Sequence, residues 1–298
     1  MTNIQTITRF HRLTSLPDPL HPLVSVARSE DCRYGADGTW DRFITQFYCI
    51  ALKRDVKGKM RYGQQLYDYD KGVMSFTAPR QVQSLDVPNM ECGAGLLLFF
   101  HPDLLLKHPL AKTITQYGFF SYAVNEALHL SAAEEADIVA IIHKIEQESR
   151  HIDRHTQDII VSQIDLLLAY SNRFYERQFI TRKAAQSDLL TRFEAVVDAW
   201  FRAGEGEEKG LLTVQQVAAA LHLSPNYLGD MLRTVTGQNA QQHIHQKLIQ
   251  HAKEKLSTTS LSVAEIAYAL GFEHAQSFSK LFKSKTAQSP LAFRQSFN

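Results

Sequence analysis

The stretch Ser262–Lys285, SVAEIAYALGFEHAQSFSKLFKSK, holds two short apolar periods separated by one glycine and closed by lysines. Ser262 is a helix-cap candidate, and Val263, Ile266, Ala267 and Leu270 fall at helical spacing. Gly271-Phe272-Glu273-His274 interrupts the period. A left-handed turn suits glycine there, whereas other residues lose about 1 kcal/mol or more in that conformation. Phe278, Leu281 and Phe282 then restart the apolar pattern, with Lys283 just beyond. The stretch therefore reads as helix, tight turn, helix.

An earlier stretch repeats it. LTVQQVAAAL at 212–221 aligns with LSVAEIAYAL at 261–270, so Thr213 takes the place of Ser262 and Val217-Ala218 that of Ile266-Ala267. A turn at His222-Leu223-Ser224 follows, and Leu228, Met231 and Leu232 then mark the inner side of a second helix. Ser224-Pro225 is an N-cap followed by proline at the first helical position, a strong helix start. Gly237 and Ala287 occupy the same place after each second helix. Two helix-turn-helix motifs, at about 213–235 and 262–285, are thus joined by one helix from about Ala240 to Leu256. In such a motif the second helix enters the DNA major groove and the first braces it. The small Ala218 and Ala267 suit two short helices that cross closely.

These residues carry a family resemblance. The run LSVAEIAYALGFEHAQSFSKLFKSKTAQSPLAFR at 261–294, with its Gly-Phe, its Ser-Phe-Ser-Lys-Leu-Phe-Lys and its Ser-Pro-x-x-Phe-Arg, resembles the second motif of AraC-family transcriptional regulators. The first motif agrees at Val217-Ala218, Leu221, Leu223-Ser224-Pro225, Tyr227-Leu228, Leu232 and Thr236-Gly237. Ala287 departs from the family's usual glycine, and the joining helix carries lysines where arginine is commoner. The resemblance implies an α+β chain of two domains. An antiparallel β jelly-roll (cupin-like) N-terminal domain with added helices would precede an all-α tandem helix-turn-helix C-terminal domain. The expected division is an effector-sensing domain over 1–130, a helical dimerisation segment over 131–180, a linker over 181–187 and the DNA-binding domain over 188–298.

Charge is consistent with this division. The whole chain carries a net charge of only +1, yet from Leu211 onward eight basic residues face four acidic ones. A local basic surplus is what phosphate binding draws on, and it makes affinity salt-dependent. The base-reading candidates lie near the start of each second helix. They are Asn226, Tyr227, Asp230 and Arg233 in the first, and His274, Gln276, Ser277, Ser279 and Lys280 in the second. Asn and Gln pair with adenine, Arg and Lys with guanine, and Asp with the cytosine amine. Lys283, Lys285 and Lys247 are phosphate candidates. Other roles compete at three positions: Asp230 as a local partner of Arg233, His274 as turn filler and Tyr227 as a half-buried brace.

The first half reads differently. LVSVA, FITQFYCIAL, MRYGQQLYDYDKGVMSFTAP and GLLLFF are β-rich runs separated by turn residues, the pattern of an antiparallel sandwich or barrel. Asp70-Lys71-Gly72 suits a hairpin loop. Ser131 and Glu134 form a capping box that opens a helix to about Arg150. From about 156 to 179, Ile160, Ile164, Leu167, Leu168, Phe174 and Tyr175 make a broad apolar stripe. That stripe serves either packing on the β domain or a homodimer seam. Another amphipathic helix spans Asp188–Ala203, and GEGEEKG at 204–210 reads as a solvated loop.

A barrel mouth is a usual place for a small-molecule effector. The pocket candidates are Tyr62, Gln64, Tyr67, Phe76 and Gln81, whose aromatics could equally be ordinary core. His101, His108 and Glu91 lack the tight ligand spacing of a jelly-roll metal enzyme, and no nucleophile motif or phosphate loop occurs, so neither catalysis nor a cofactor is expected. Cys32, Cys49 and Cys92 form no CxxC pair and read as reduced thiols. No secretory signal or membrane-length apolar run is present, which points to the cytoplasm. The leading expectation is a dimeric, effector-responsive regulator that binds double-stranded DNA, with RNA polymerase as a candidate partner. A ligand-blind regulator and a metal-dependent enzyme with a helical accessory domain are the alternatives.

Overall fold

The structure, a computed structural model, describes the chain apart from residues 55–60, 63–64, 67–71, 86, 88–92, 123–125, 182 and 297–298, and apart from the side chains of 61–62, 65–66 and 181–187. It divides into two units, Met1–Gln178 and Phe179–Asn298.

The first unit is built on an antiparallel sheet. Its strands are β1 (Thr2–Ile4), β2 (Val24–Arg28), β3 (Phe43–Thr45), β4 (Tyr48–Lys53), β5 (Arg61–Tyr62), β6 (Gln65–Leu66), β7 (Val73–Thr77), β8 (Gly95–Phe100) and β9 (Leu128–His129). Five of them form one sheet in the order β2-β8-β4-β7-β9, antiparallel throughout. The GLLLFF run is β8, and all six of its residues are buried. An unbroken apolar run is what a strand covered on both faces requires.

On one face Leu97 and Phe99 join Ile4, Phe10, Trp40 and Phe47 in a single core. Helix α1 (Ile7–Leu13) supplies Phe10, whose ring lies 4.7 Å from that of Phe99. On the other face Phe100 stacks on Tyr48 at 4.9 Å, and Phe76 packs 4.4 Å from Phe119. A short helix, α2 (Leu110–Thr113), and two helical turns at Pro102–Leu105 and Gly118–Ser121 follow β8. Of the expected hairpin loop, Asp70 and Lys71 lie outside the described residues.

Helix α3 (Ala132–Glu148) opens on the expected capping box, with Glu134 N–H donating to Ser131 Oγ (3.3 Å) and Ser131 N–H to Glu134 Oε2 (2.8 Å). Arg177, on α4 (Thr156–Thr181), donates to both oxygens of the same Glu134, at 2.7 and 3.0 Å. The planar guanidinium fork matches the carboxylate, so one acid caps α3 and ties it to α4. All six apolar stripe residues of α4 are buried within this unit. That stripe is therefore core rather than a dimer seam. The apolar side chains α4 still exposes within the unit are Ile159 and Leu166.

The second unit is helical, with α5 (Lys183–Ala203), α6 (Gly206–Lys209), α7 (Val214–Ala220), α8 (Pro225–Thr236), α9 (Ala240–Thr258), α10 (Val263–Ala269), α11 (Ala275–Thr286) and α12 (Pro290–Gln295). Helical backbone begins at Lys183, within the stretch expected to be a linker and ahead of the expected start at Asp188. The run 204–210 is not a solvated loop. It contains α6, and a Cβ added to Gly206 would stand 2.8 Å from Gly271 N and 2.9 Å from Ala269 O. One added to Gly271 would meet Gly210 O at 2.4 Å, and Gly271 has φ +93°. Backbone thus packs on backbone, which only glycine permits at both positions. The sequence reading missed it because a glycine-rich acidic run has the composition of a loop.

The helices α8 and α11 each close on a left-handed residue, Gly237 at φ +75° and Ala287 at φ +62°. Ala287 is exposed, so its Cβ gains no burial there. Replacement Ala287→Gly is expected to raise the unfolding free energy of the second unit by about 1 kcal/mol. Urea denaturation of both proteins checks this, and a loss of stability would refute the strain assigned to Ala287.

Candidate nucleic-acid interface

The two halves of the helical unit repeat the same first-helix caps, turn bonds and closing clasps, and differ at the start of the second helix, where Ser224 caps α8 and His274 makes no such bond to α11. Thr213 and Ser262 accept from the third residue of α7 and α10, while Gln216 and Glu265 reach back to the caps. Val217, Ala218, Ile266 and Ala267 are each 0% exposed, so the helix pairs approach at their smallest residues. Leu223 N–H donates to Ala218 O and Phe272 N–H to Ala267 O, both at 2.9 Å, which closes each turn. In the first turn the left-handed residue is His222 at φ +59°, where the second has Gly271. Thr236 Oγ1 donates to Leu232 O (2.7 Å) and Thr286 Oγ1 to Phe282 O (2.8 Å). Gln238 and Gln288 N–H then donate to those same hydroxyls. These threonine clasps were not anticipated, although Thr-Gly-Gln at 236–238 and Thr-Ala-Gln at 286–288 mark them in the sequence.

The clasps hold α8 and α11 with one side inward. In α8 the inner residues are Tyr227, Leu228, Met231 and Leu232, and in α11 Phe278 and Phe282. Phe272, Phe278, Phe282 and Phe293 form a continuous ring chain with centroids 5.5, 5.7 and 5.5 Å apart. The outward side of α11 exposes Gln276, Ser277, Lys280 and Lys283, with Lys285 also exposed and Ser279 half-buried. His274 precedes α11, exposed and with no capping bond from its side chain. The outward side of α8 shows Asn226 and Arg233, with Asp230 half-buried. Asp230 Oδ1 lies 3.6 Å from Arg233 Nη1, the local pair weighed from their spacing. An exposed pair of this kind contributes little to stability, so a ligand could displace it readily.

Two candidates are corrected. Tyr227 is only 9% exposed and packs edge-on at 5.1 Å from Phe179, so it braces α8 rather than facing a groove. Lys247 donates to Asp198 Oδ2 at 3.0 Å, and His251 lies 3.3 Å from Oδ1 of the same carboxylate. Partial burial raises the Asp198 pKa, but the bonds from Lys247 and His251 and their charges outweigh it and hold the group below the usual carboxylate range. Lys247 thus fastens α9 to α5 rather than reaching phosphate. Arg294 is likewise engaged, donating to the carbonyls of Leu256 (3.2 Å) and Leu261 (2.6 Å).

The pocket expected in the first unit is not assembled by the described residues. Tyr62, as a side chain, and Gln64 and Tyr67 lie outside them. Phe76 is buried in a ring cluster with Phe119, Phe120 and Tyr175, which makes it core. Gln81 is half-buried and its Oε1 accepts from Ala78 N–H at 3.1 Å, a turn contact. Of the weighed metal ligands, Glu91 lies outside the described residues. His101 accepts from Asp103 N–H, and His108 pairs with Asp158 at 3.2 Å. Among the described residues no three His, Cys, Asp or Glu side chains could hold a metal ion together. Burial pushes the Cys49 thiol up to about 12, so it is not a thiolate at neutral pH. No helix among the described residues is long and apolar enough to cross a membrane.

Comparison with known proteins bears on the helical unit. Residues 217–296 match a family model described as a helix-turn-helix domain. An uncharacterized HTH-type transcriptional regulator of Escherichia coli K12, YijO, is 32% identical over 114 residues, 38% of this chain and 40% of that protein. The HTH-type transcriptional activator RhaR of Enterobacter sp. strain 638 is 26% identical over 165 residues, 55% of this chain and 56% of that protein. The chain thus spans about two fifths to just over half the length of these relatives. The C-terminal domain of the two-component response regulator yesN from Fusobacterium nucleatum aligns over 34% of this chain and 96% of its own at 28% identity, with a TM-score of 0.30.

Lys247→Ala is expected to lower the melting temperature of the helical unit while leaving the salt dependence of DNA binding unchanged. Calorimetry and a salt series check the two parts, and a shallower salt dependence would return Lys247 to the phosphate contacts.

Proposed function

We propose that the tandem helix-turn-helix segment is a DNA-binding domain of the AraC type, and that the whole chain is a sequence-specific DNA-binding transcriptional regulator working in the cytoplasm. Helices α8 and α11 enter the major groove of double-stranded DNA. One observation carries this reading: two copies of one scaffold with matching first-helix caps, turn bonds and clasps, each turning a polar stripe outward. Asn226, Asp230 and Arg233 read bases from the first copy, and His274, Gln276, Ser277, Ser279 and Lys280 from the second, with Lys283 and Lys285 on phosphate. An enzyme with a helical accessory is the weaker reading, because its helical half would have no use for two matched reading faces.

Selection from random duplexes, followed by fluorescence anisotropy with the full chain, tests the proposal. A shared motif bound at least ~10³-fold above random DNA is expected. Alanine at Arg233 or at Lys280 should each weaken that site by about 1–3 kcal/mol and relax the preference at one position. Sequence-indifferent binding would refute it.

The first unit is read as a cupin-like jelly roll that precedes the DNA-binding domain, and its antiparallel order β2-β8-β4-β7-β9 supports that. The chain acts as a homodimer through α4, on a face other than the buried stripe. Ile159 and Leu166 are 41% and 44% exposed one heptad apart. A second copy laid along this face would cover the two side chains. Regulation by a small-molecule effector is part of the leading reading, with RNA polymerase as the downstream partner. The placement of Phe76 in the core favours a ligand-blind variant, in which the first unit serves dimerisation alone. Ile159→Arg with Leu166→Arg is expected to convert a dimer to a monomer in sedimentation, with the fold retained by circular dichroism. A dimer that survives both changes would place the seam elsewhere.

A further inference from the structure

Helix α9 joins the two motifs and presents a face that neither motif uses. Gln242, Gln246 and Gln250 recur every four residues along it, so they stand one above another. With Gln238, Lys253 and Lys285 they line a cleft of about 420 Å³, and buried Ile249 lies beneath. No carboxylate lines this cleft. Its charges are the two ammonium groups, one of which, Lys253 Nζ, sits 5.6 Å over the Phe293 ring. Amides that donate and cations that attract make a cradle for an anion and disfavour a cation.

Its place decides which anion. Gln238 belongs to the turn that closes α8, and Lys285 to the last turn of α11. The cleft therefore lies between the C-terminal ends of the two groove-reading helices. From Gln242 to Lys253 it runs about 16 Å along the helix axis. A single phosphate ion would leave most of that length empty. A nucleic-acid strand, with one phosphate per roughly 3.4 Å of duplex axis, supplies several groups in a row.

We infer that this cleft seats the sugar–phosphate backbone of the strand that passes from the groove segment read by α8 to the one read by α11. The inference rests on the DNA-binding reading above and adds a contact surface to it. Backbone contacts set register and carry no sequence information. The cleft therefore strengthens binding to every duplex alike, and it fixes the spacing at which the two motifs are read.

The test uses the full-length protein, the duplex recovered by selection and a random duplex of equal length, with anisotropy across a salt series. Gln246 and Gln250 are exposed, so Gln246→Glu and Gln250→Glu each place a negative charge in the cleft without disturbing the core. Each is expected to weaken both duplexes by about tenfold at low salt, with the loss shrinking as salt screens the repulsion. Lys253→Ala and Lys285→Ala should each reduce the slope of log affinity against log salt by about 1 while leaving the ratio of selected to random binding unchanged. Wild-type affinity in both glutamate variants, alongside weakened binding by Arg233→Ala and Lys280→Ala, would overturn the inference and leave the cleft to an acidic protein partner. Failure of the wild-type chain to prefer any selected duplex would instead overturn the DNA-binding reading itself.

Discussion

A helix of seven residues does not hold together alone in water, and α7 and α10 are both that short. Everything in the helical unit follows from how the two are kept folded. Each lies against its partner at an alanine with 0% exposure, which lets the backbones approach closely enough for the turn bond from Leu223 or Phe272 to form. Each is also anchored to α9, whose Ile244, Leu248, Ala252 and Leu256 are all buried. A long helix that nucleates more readily thus supports two that would not form alone.

The cores of the two copies are different solutions to one geometric problem. The first relies on Leu228, Met231 and Leu232, the second on the ring chain through Phe278 and Phe282. Aromatic rings bury more surface per residue and fix their neighbours' orientation by edge-to-face contact. The second copy also receives the backbone-on-backbone support of α6 at Gly271, which the first copy, with His222 at the equivalent turn, does not have.

Much of this was legible from sequence because the signal was doubled. The caps at Thr213, Ser224 and Ser262, the apolar positions of all four short helices and the joining helix are where periodicity places them. GLLLFF read as strand and is strand. What was not legible depends on partners distant in the chain. Lys247 looks like any solvent-facing lysine until Asp198, on another helix, is brought to 3.0 Å. Tyr227 sits at a reading-face position by motif, yet Phe179 draws it inward. The α4 stripe has the same periodicity whether it meets a sheet or a second copy, and sequence spacing does not distinguish the two.

The threonine clasps have a consequence for how such a domain changes over time. Every bond that shapes a motif, from cap to turn to clasp, uses backbone atoms or side chains that are not on the outward stripe. Asn226, Gln276 and Lys280 are exposed and belong to none of these caps, turns or clasps. The scaffold and its reading letters are therefore separable. Under the proposed DNA-reading role, a lineage can rewrite what is read, one exposed residue at a time, while the instructions for folding stay as they were.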